Sequence, residues 1–383
     1  MLSIQNIKGK NYPQQVYFIK ILENKSNKYM SAAITQAKLA MGLTSPNPPV
    51  GAIIVSEENK IIGMGNTQPY GKNHAEIEAI KSAGNNVKNS TLYTTLEPCN
   101  IELNTPPCTK SIIQSNIKHV IIGTKDPNPK INGKGIKILE KNVITTEVVK
   151  YNESLEYTLE AYKYFVKNKK PYFTVKYAMS LDGKIASNNG DSKWISSKKS
   201  REYVHELRSN ADAILTGVNT IIYDDPQFNV RLSNYEKKYH PKKVILDTNG
   251  RVPYESKSLD SNCILVTSKI ENKIKDKLHS KGVVIEHIPA GKDEKIDLKY
   301  LPELLVKYNL LNIFVEAGST LPGELLYNNL VNKIILFVSP KIIGESKYVP
   351  FGSKGINQII DSYKPKKITN SSIENDILIK AWL

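Results

Sequence analysis

The sequence predicts an α/β protein built as two successive domains, on three observations. Its 383 residues are too many for one ordinary domain and suit two. Short apolar runs alternate with segments of helical period up to about residue 150, and a second such series begins near Tyr172. Between the two series lies a helical stretch that ends on Lys169-Lys170-Pro171, a breaker.

Residues 1–27 carry no periodic pattern and are read as an N-terminal extension. Met30, Ala33, Ile34, Ala37 and Leu39 to Met41 repeat at helical spacing, and Gly42 stops that helix. Val50 to Val55 is an apolar run bounded by Pro-rich and Glu-rich stretches, which predicts a buried strand. A helix is expected over His74–Lys81, a strand at Thr91–Thr95 and a helix after Cys108. A strand at His119–Gly123, a helix around Ile136–Glu140 and a strand at Val143–Val149 complete a first domain over residues 28–150. Leu155, Leu159, Tyr162 and Phe165 mark a linker helix within 151–170. The second domain, 171–383, opens with a strand at Tyr172–Tyr177. Its further strands are expected at Ala213–Thr216, Lys243–Asp247, Cys263–Thr267, Val283–His287, Asn312–Glu316 and Lys333–Val338.

Composition narrows the function classes. No run of about 18 apolar residues exists, so no membrane span is expected. No secretion signal is read at the start, and a cytoplasmic protein follows as the default. The net charge is +16, but the lysines are scattered and no dense basic run is interleaved with aromatics. That pattern is a solvated surface rather than a nucleic-acid face. Three cysteines cannot build a disulfide framework. Cys99 and Cys108 lie close enough to suggest a metal, whereas Cys263 reads as a small buried strand residue.

The chemistry concentrates in His74-Ala75-Glu76, then Glu97-Pro98-Cys99, then Thr105-Pro106-Pro107-Cys108. Zinc favours tetrahedral N/S ligation, and a catalytic site keeps one place for water. His74, Cys99 and Cys108 supply three ligands and leave the fourth place open. Cys108 follows two prolines at a helix start, where the helix dipole favours thiolate. Glu76 is not needed as a ligand and can shuttle protons as a general acid and base. This is the order of the zinc deaminases, although the second cysteine comes nine residues after the first.

With that spacing, the chain resembles the bifunctional deaminase/reductases of riboflavin biosynthesis. Glu97-Pro98-Cys99 with Thr105-Pro106-Pro107-Cys108 carries the likeness, together with Pro46-Asn47-Pro48-Pro49-Val50-Gly51. So do Asp126-Pro127-Asn128-Pro129 and Gly133-Lys134-Gly135. The resemblance implies a first domain like the three-layer cytidine deaminases and a second like dihydrofolate reductase. It implies that Asn47, Asp126 and Asn128 touch the deaminase substrate; on residue type alone they are ordinary turn residues.

In the second half the likeness runs through Val175–Lys184, Ser192–Ser196, Leu207-Arg208, Ile214–Thr220, Asp224-Asp225-Pro226, Arg231, Val315–Gly318 and Pro340–Gly344. Arginine forks suit phosphate, so Arg208 and Arg231 are candidate anchors. The resemblance adds Lys176, Ser192, Asp224, Phe228 and Glu316 as substrate contacts. It assigns Ala178, Trp194, Thr220, Gly217 and Gly318 to the cofactor. No G-x-G-x-x-G follows a strand, so a Rossmann site is not indicated. The implied cofactors are Zn2+ and NADPH, and the implied substrates are small phosphoribosylaminopyrimidines, with no nucleic-acid or membrane partner and a homo-oligomeric protein.

Two alternatives stay open on the residues. A nucleic-acid base deaminase fits zinc and positive charge, but has no use for a reductase-like half. A working reductase with a weakened deaminase is the other. The family usually has His, Gly and a basic residue where Ile101, Leu103 and Asn104 stand.

Overall fold

The computed structural model describes residues 28–102, 106–150, 152–233 and 240–383. The expected extension 1–27, and Leu103 and Asn104 of the altered loop, lie outside the described residues. The chain divides into two compact units. One takes residues up to Ala40 together with Val50–Tyr157; the other takes Met41–Pro49 and Thr158–Leu383.

The first unit begins with the helix over residues 28–40, α1. Then come β1 (Gly51–Val55), β2 (Ile61–Asn66), α2 (Ala75–Ala83), β3 (Thr91–Thr94) and α3 (Cys108–Gln114). β4 (His119–Ile122), α4 (Lys134–Lys141), β5 (Thr145–Val148) and α5 (Glu153–Asn168) follow, the last running on into the second unit. The five strands form one sheet in the order β2-β1-β3-β4-β5. β1 pairs antiparallel with β2 and β3, whereas β3, β4 and β5 run parallel.

Three glycines show how the layers meet. A Cβ on Gly51 would fall 1.9 Å from the Ala33 carbonyl oxygen of α1. A Cβ on Gly65, which pairs with Ala52, would fall 2.4 Å from the Ala75 carbonyl oxygen of α2. Neighbouring strand residues point to opposite faces, so α1 and α2 cover opposite sides of the sheet. The unit is thus three layers, helix on sheet on helix. Gly63 completes the contact, its Cβ position lying 2.3 Å from the Ala79 carbonyl oxygen. These close approaches explain why β2, with its sequence Ile-Ile-Gly-Met-Gly-Asn, gave no strand signal.

The second unit contains β6 (Tyr172–Met179), α6 (Lys198–Ser209), β7 (Ala213–Gly217), α7 (Val218–Asp224) and β8 (Lys242–Leu246). β9 (Cys263–Thr267), α8 (Asn272–Ser280), β10 (Val284–His287), α9 (Leu301–Lys307) and β11 (Asn312–Val315) come next. α10 (Thr320–Tyr327), β12 (Val331–Val338), β13 (Lys367–Ile373) and β14 (Asp376–Trp382) end the chain. The nine strands line up as β10-β9-β8-β7-β11-β6-β12-β14-β13. All pairs from β10 to β12 are parallel, and β14 and β13 add an antiparallel edge.

One apolar cluster gathers Phe173, Val175, Leu215, Val244, Ile264 and Ile313; a second gathers Ile214, Ile245, Leu265 and Val283. Alternate residues of the same strands feed different clusters, so the strands are buried on both faces, as parallel strands are. That is why they read as continuous apolar runs. The edge strand β13 is mostly exposed and polar, Lys-Ile-Thr-Asn-Ser-Ser-Ile, and the sequence did not mark it.

Candidate functional sites

The first site is assembled at the starts of two helices. His74 is the N-cap of α2 and Glu76 stands in its first turn. Cys108 opens α3 after Pro107, and Cys99 lies on the loop that follows β3. The His74 Nδ1 is 3.3 Å from the Cys108 sulfur and 3.5 Å from the Cys99 sulfur. The three ligand atoms all lie within 4.8 Å of one another. With metal–ligand bonds of about 2.0–2.3 Å, a tetrahedral zinc needs its ligands roughly 3.5 Å apart. The triangle therefore fits zinc, and all three expected ligands are brought together.

The electrostatics agree with a metal at this point. The Cys108 backbone N–H, at a helix N-terminus, donates to the Cys99 sulfur at 3.4 Å. The Cys108 thiol beside it, with His74 and that N–H, holds Cys99 well below the usual thiol range. The same closeness, with burial, keeps the proton on Cys108. A divalent cation lifts this restriction and takes both as thiolates. Glu76 is buried, and desolvation raises its carboxyl to about 7 against the pull of His74. A carboxyl poised near neutrality suits proton shuttling.

The Asp126–Asn128 segment is held by its own side chains. Asp126 Oδ1 accepts the Asn128 N–H at 2.8 Å, and Asn128 Oδ1 accepts the Lys130 N–H at 3.1 Å. Asn47 closes a turn in which its N–H donates to the Thr44 carbonyl at 2.9 Å. Its segment groups with the second unit, so its expected place in the deaminase site rests on the resemblance alone. Glu97, which received no role from sequence, is buried and accepts four backbone N–H groups.

The second site is a cleft of about 1320 Å³ at the carboxyl ends of the parallel strands. Its walls come from Lys176 and Ala178 of β6, Gly217 at the end of β7, Leu246 and Thr248 around β8, and Glu316 after β11. β7 leads on to β8 on one side, while β11 inserts between β7 and β6 on the other. Such a switch point is where open α/β sheets bind ligands. The volume exceeds the roughly 300–1,000 Å³ of a pocket for one small molecule, so it has room for a cofactor and a substrate together.

Ten of the twelve residues expected at this site line the cleft: Lys176, Ala178, Ser192, Arg208, Gly217, Thr220, Asp224, Phe228, Glu316 and Gly318. Arg231 and Trp194 are not among the lining residues. Arg231 Nη1 donates to Asn229 Oδ1, and the exposed Trp194 ring carries the Arg201 guanidinium 4.4 Å from its centre. Arg208 differs from expectation too. Its fork is closed on Glu316, Nε to Oε1 at 2.5 Å and Nη2 to Oε2 at 3.0 Å, with both side chains largely buried. Burial pushes Glu316 up, but Arg208 and Lys176 together hold it below the ordinary carboxyl value. Burial lowers Lys176, with Glu316 opposing.

Sequence reasoning missed two residues here: Tyr177, which lines the cleft, and His205, which stands beside it without lining it. Tyr177 donates its hydroxyl to the Gly318 carbonyl at 3.2 Å, and the Gly318 N–H donates to Thr220 Oγ1 at 3.3 Å, so Gly318 is held from both sides. A Cβ on Gly318 would meet no protein atom within 4 Å, so bare backbone borders open cleft, as a phosphate cradle requires. His205, one turn before Arg208 on α6, accepts the Arg231 N–H at 3.2 Å. Burial and the two arginines lower it to about 4, which keeps it neutral. Its three-residue spacing from Arg208 was the available signal.

Residues 23–124 match the family model for the cytidine and deoxycytidylate deaminase zinc-binding region, and residues 171–378 match the RibD C-terminal domain. The chain is 40% identical over 354 residues to the riboflavin biosynthesis protein RibD of Aquifex aeolicus (strain VF5), covering 92% of this chain and 96% of that one. It is 31% identical over 355 residues to RibD of Escherichia coli (strain K12), covering 89% and 95%. Among solved structures it is similar to form 1 of Acinetobacter baumannii RibD, with TM-score 0.79, 30% identity and coverage of 94% and 99%. It is equally similar to a diaminohydroxyphosphoribosylaminopyrimidine deaminase/5-amino-6-(5-phosphoribosylamino)uracil reductase from Thermotoga maritima, with TM-score 0.79, 31% identity and the same coverage.

Proposed function

The chain belongs to the RibD family of riboflavin biosynthesis proteins, and from that membership we propose a reaction for each unit. The first unit removes the exocyclic amine of 2,5-diamino-6-(5-phosphoribosylamino)pyrimidin-4-one by hydrolysis. The second reduces the ribosyl group of 5-amino-6-(5-phosphoribosylamino)uracil to ribityl. The observation that carries this reading is the His74, Cys99 and Cys108 triangle beside a buried Glu76.

His74, Cys99 and Cys108 would hold zinc, which when bound supplies the Lewis acidity that readies water for attack near neutral pH. Glu76 accepts the proton of the attacking water at its carboxylate and returns it to the ring nitrogen. The same carboxylate moves the second proton to the amine, which leaves as ammonia. Asp126 and Asn128 contact the pyrimidine, their loop fixed by the turn bonds described above.

In the cleft, NADPH when bound supplies the hydride. Gly217 would hold its phosphates through its backbone N–H and Thr220 through its hydroxyl, while Gly318, with no side chain toward the cleft, lets them approach beside Ala178. Lys176, Ser192 and Asp224 hydrogen-bond the sugar, and Phe228 packs against the substrate. Arg208 and Glu316 line the cleft with the arginine fork already closed, so substrate phosphate is assigned to the exposed Arg231, which bonds Asn229 outside the lining and would have to turn inward. The same reading has the protein working in the cytoplasm as a homo-oligomer on small molecules, apart from nucleic acid and membrane. No helix among the described residues is long and apolar enough to cross a membrane.

The test follows ammonia and NADPH oxidation separately with the diaminopyrimidinone as substrate. Both are expected. Bound zinc without either product would sink the substrate assignment; NADPH oxidation only on the already deaminated compound would sink the first half of it.

A further inference from the structure

We propose that Glu97 is a positioning residue of the deamination site, whose carboxylate clamps the segment from Asp126 to Ile136 onto the cysteine-bearing loop. Oε2 accepts the N–H groups of Asp126 at 3.2 Å and Gly133 at 2.9 Å. Oε1 accepts those of Gly135 at 3.0 Å and Ile136 at 3.4 Å. The Glu97 N–H donates to the Thr124 carbonyl at 2.9 Å, which ties the residue's own backbone to the loop after β4. Glu97 is only 3% exposed.

Gly133, Gly135 and Ile136 belong to the start of α4, whose first N–H groups have no partner within the helix. No side chain of the Gly133 N-cap can take them, and Glu97 does so from another part of the chain. The approach is close. A Cβ on Gly135 would stand 2.2 Å from the Pro98 carbonyl oxygen. The α4 terminus is thus docked on Glu97-Pro98, immediately before the ligand Cys99. Asp126 is joined to the same oxygen as Gly133, so the entrance of the Asp126–Asn128 turn and the start of α4 share one anchor.

Only an acceptor-only side chain of this length satisfies the arrangement. Each oxygen takes two donors. An amide keeps one acceptor and turns an NH2 group toward two N–H groups, leaving buried donors opposed. Glu97→Gln is therefore nearly the same size and disruptive. Glu97→Asp keeps both acceptors one methylene short.

The proposal rests on the reading of Asp126 and Asn128 as substrate contacts, and the experiment separates the two. Full-length, zinc-loaded Glu97→Gln, Glu97→Asp and Asn128→Ala proteins are compared with wild type. The measurements are zinc content, deaminase KM and kcat, reductase activity on the deaminated compound, and amide hydrogen exchange at Asp126, Gly133 and Gly135. In Glu97→Gln, exchange at those three amides accelerates and deaminase KM rises about tenfold or more, while zinc content and reductase activity hold. Glu97→Asp falls between, and decides the matter if the Gln protein does not fold. Wild-type KM and exchange in the Glu97 variants overturn the proposal, as does zinc loss at unchanged KM. A wild-type KM in Asn128→Ala beside a raised KM in Glu97→Gln overturns only the contact assigned to Asn128.

Discussion

Glu76 stands in the first turn of α2, buried, two residues after the ligand His74. Its task is proton transfer, so Glu76→Gln is expected to slow ammonia release by roughly 10²–10⁴-fold. Zinc content and reduction of the deaminated compound should stay at wild-type levels; a fall in zinc would make Glu76 part of the metal's support instead. In the cleft, Glu316→Gln strands the buried Arg208 fork. The expected loss is about 3–5 kcal/mol, read from chemical unfolding. The pH dependence has a definite sign. The Glu316 carboxyl lies below its ordinary 4.5 in the folded protein, so its contribution is complete above that pH. It is lost as pH falls from 4.5 through the lowered folded value, and the stability gap between wild type and Glu316→Gln narrows only there. A gap that narrowed near neutrality would point to another group. Residues like these were unequally legible. His74, Glu76, Cys99 and Cys108 announce themselves because zinc chemistry tolerates few residue types. Glu97 was visible as part of a motif but received no role, because its partners are backbone N–H groups, which have no identity in a sequence.

Helix α2 is the element on which the first site depends, and its seat is set by Gly63 and Gly65 on β2. Gly65→Ala would drive a methyl into the α2 backbone. We expect a loss of about 1–3 kcal/mol in stability and a fall in deaminase kcat, since His74 and Glu76 ride on the displaced helix. Thermal unfolding and the two separate assays check this; an unaltered deaminase would show that α2 tolerates the shift. The same contact explains a gap in the sequence reading. β9, Cys-Ile-Leu-Val-Thr, was bounded correctly because both its faces are buried and every residue is apolar or small. β2 was not, because glycines placed for helix contact erase the alternation that marks a strand. β13 was missed for the opposite reason, as an exposed edge has little need of apolar residues.

The whole molecule puts two chemistries on one chain, and they should separate on metal removal. Chelation is expected to abolish ammonia release and leave NADPH oxidation on the deaminated compound intact. Loss of both activities together, with the chain still folded, would argue that the cleft also needs the metal. The two sites were legible by different routes for a topological reason. The zinc ligands fall within 35 residues of one another and can be seen as a motif. The cleft draws Lys176, Gly217, Thr248 and Glu316 from the ends of four strands, and only the fold assembles them.

That topology also bears on how the protein is made. β6 emerges early from the ribosome, yet both of its sheet neighbours, β11 and β12, lie more than a hundred residues later in the chain. Its buried residues Phe173, Val175 and Tyr177 have no strand to pair with until residue 312 has been synthesised. The strands of the first unit, by contrast, are complete by Val148. At about 5–20 residues per second, the nascent chain carries an unpaired central strand for roughly 7–27 s. High contact order of this kind slows folding and exposes aggregation-prone surface, so the growing reductase sheet is the stage at which this protein most needs a chaperone.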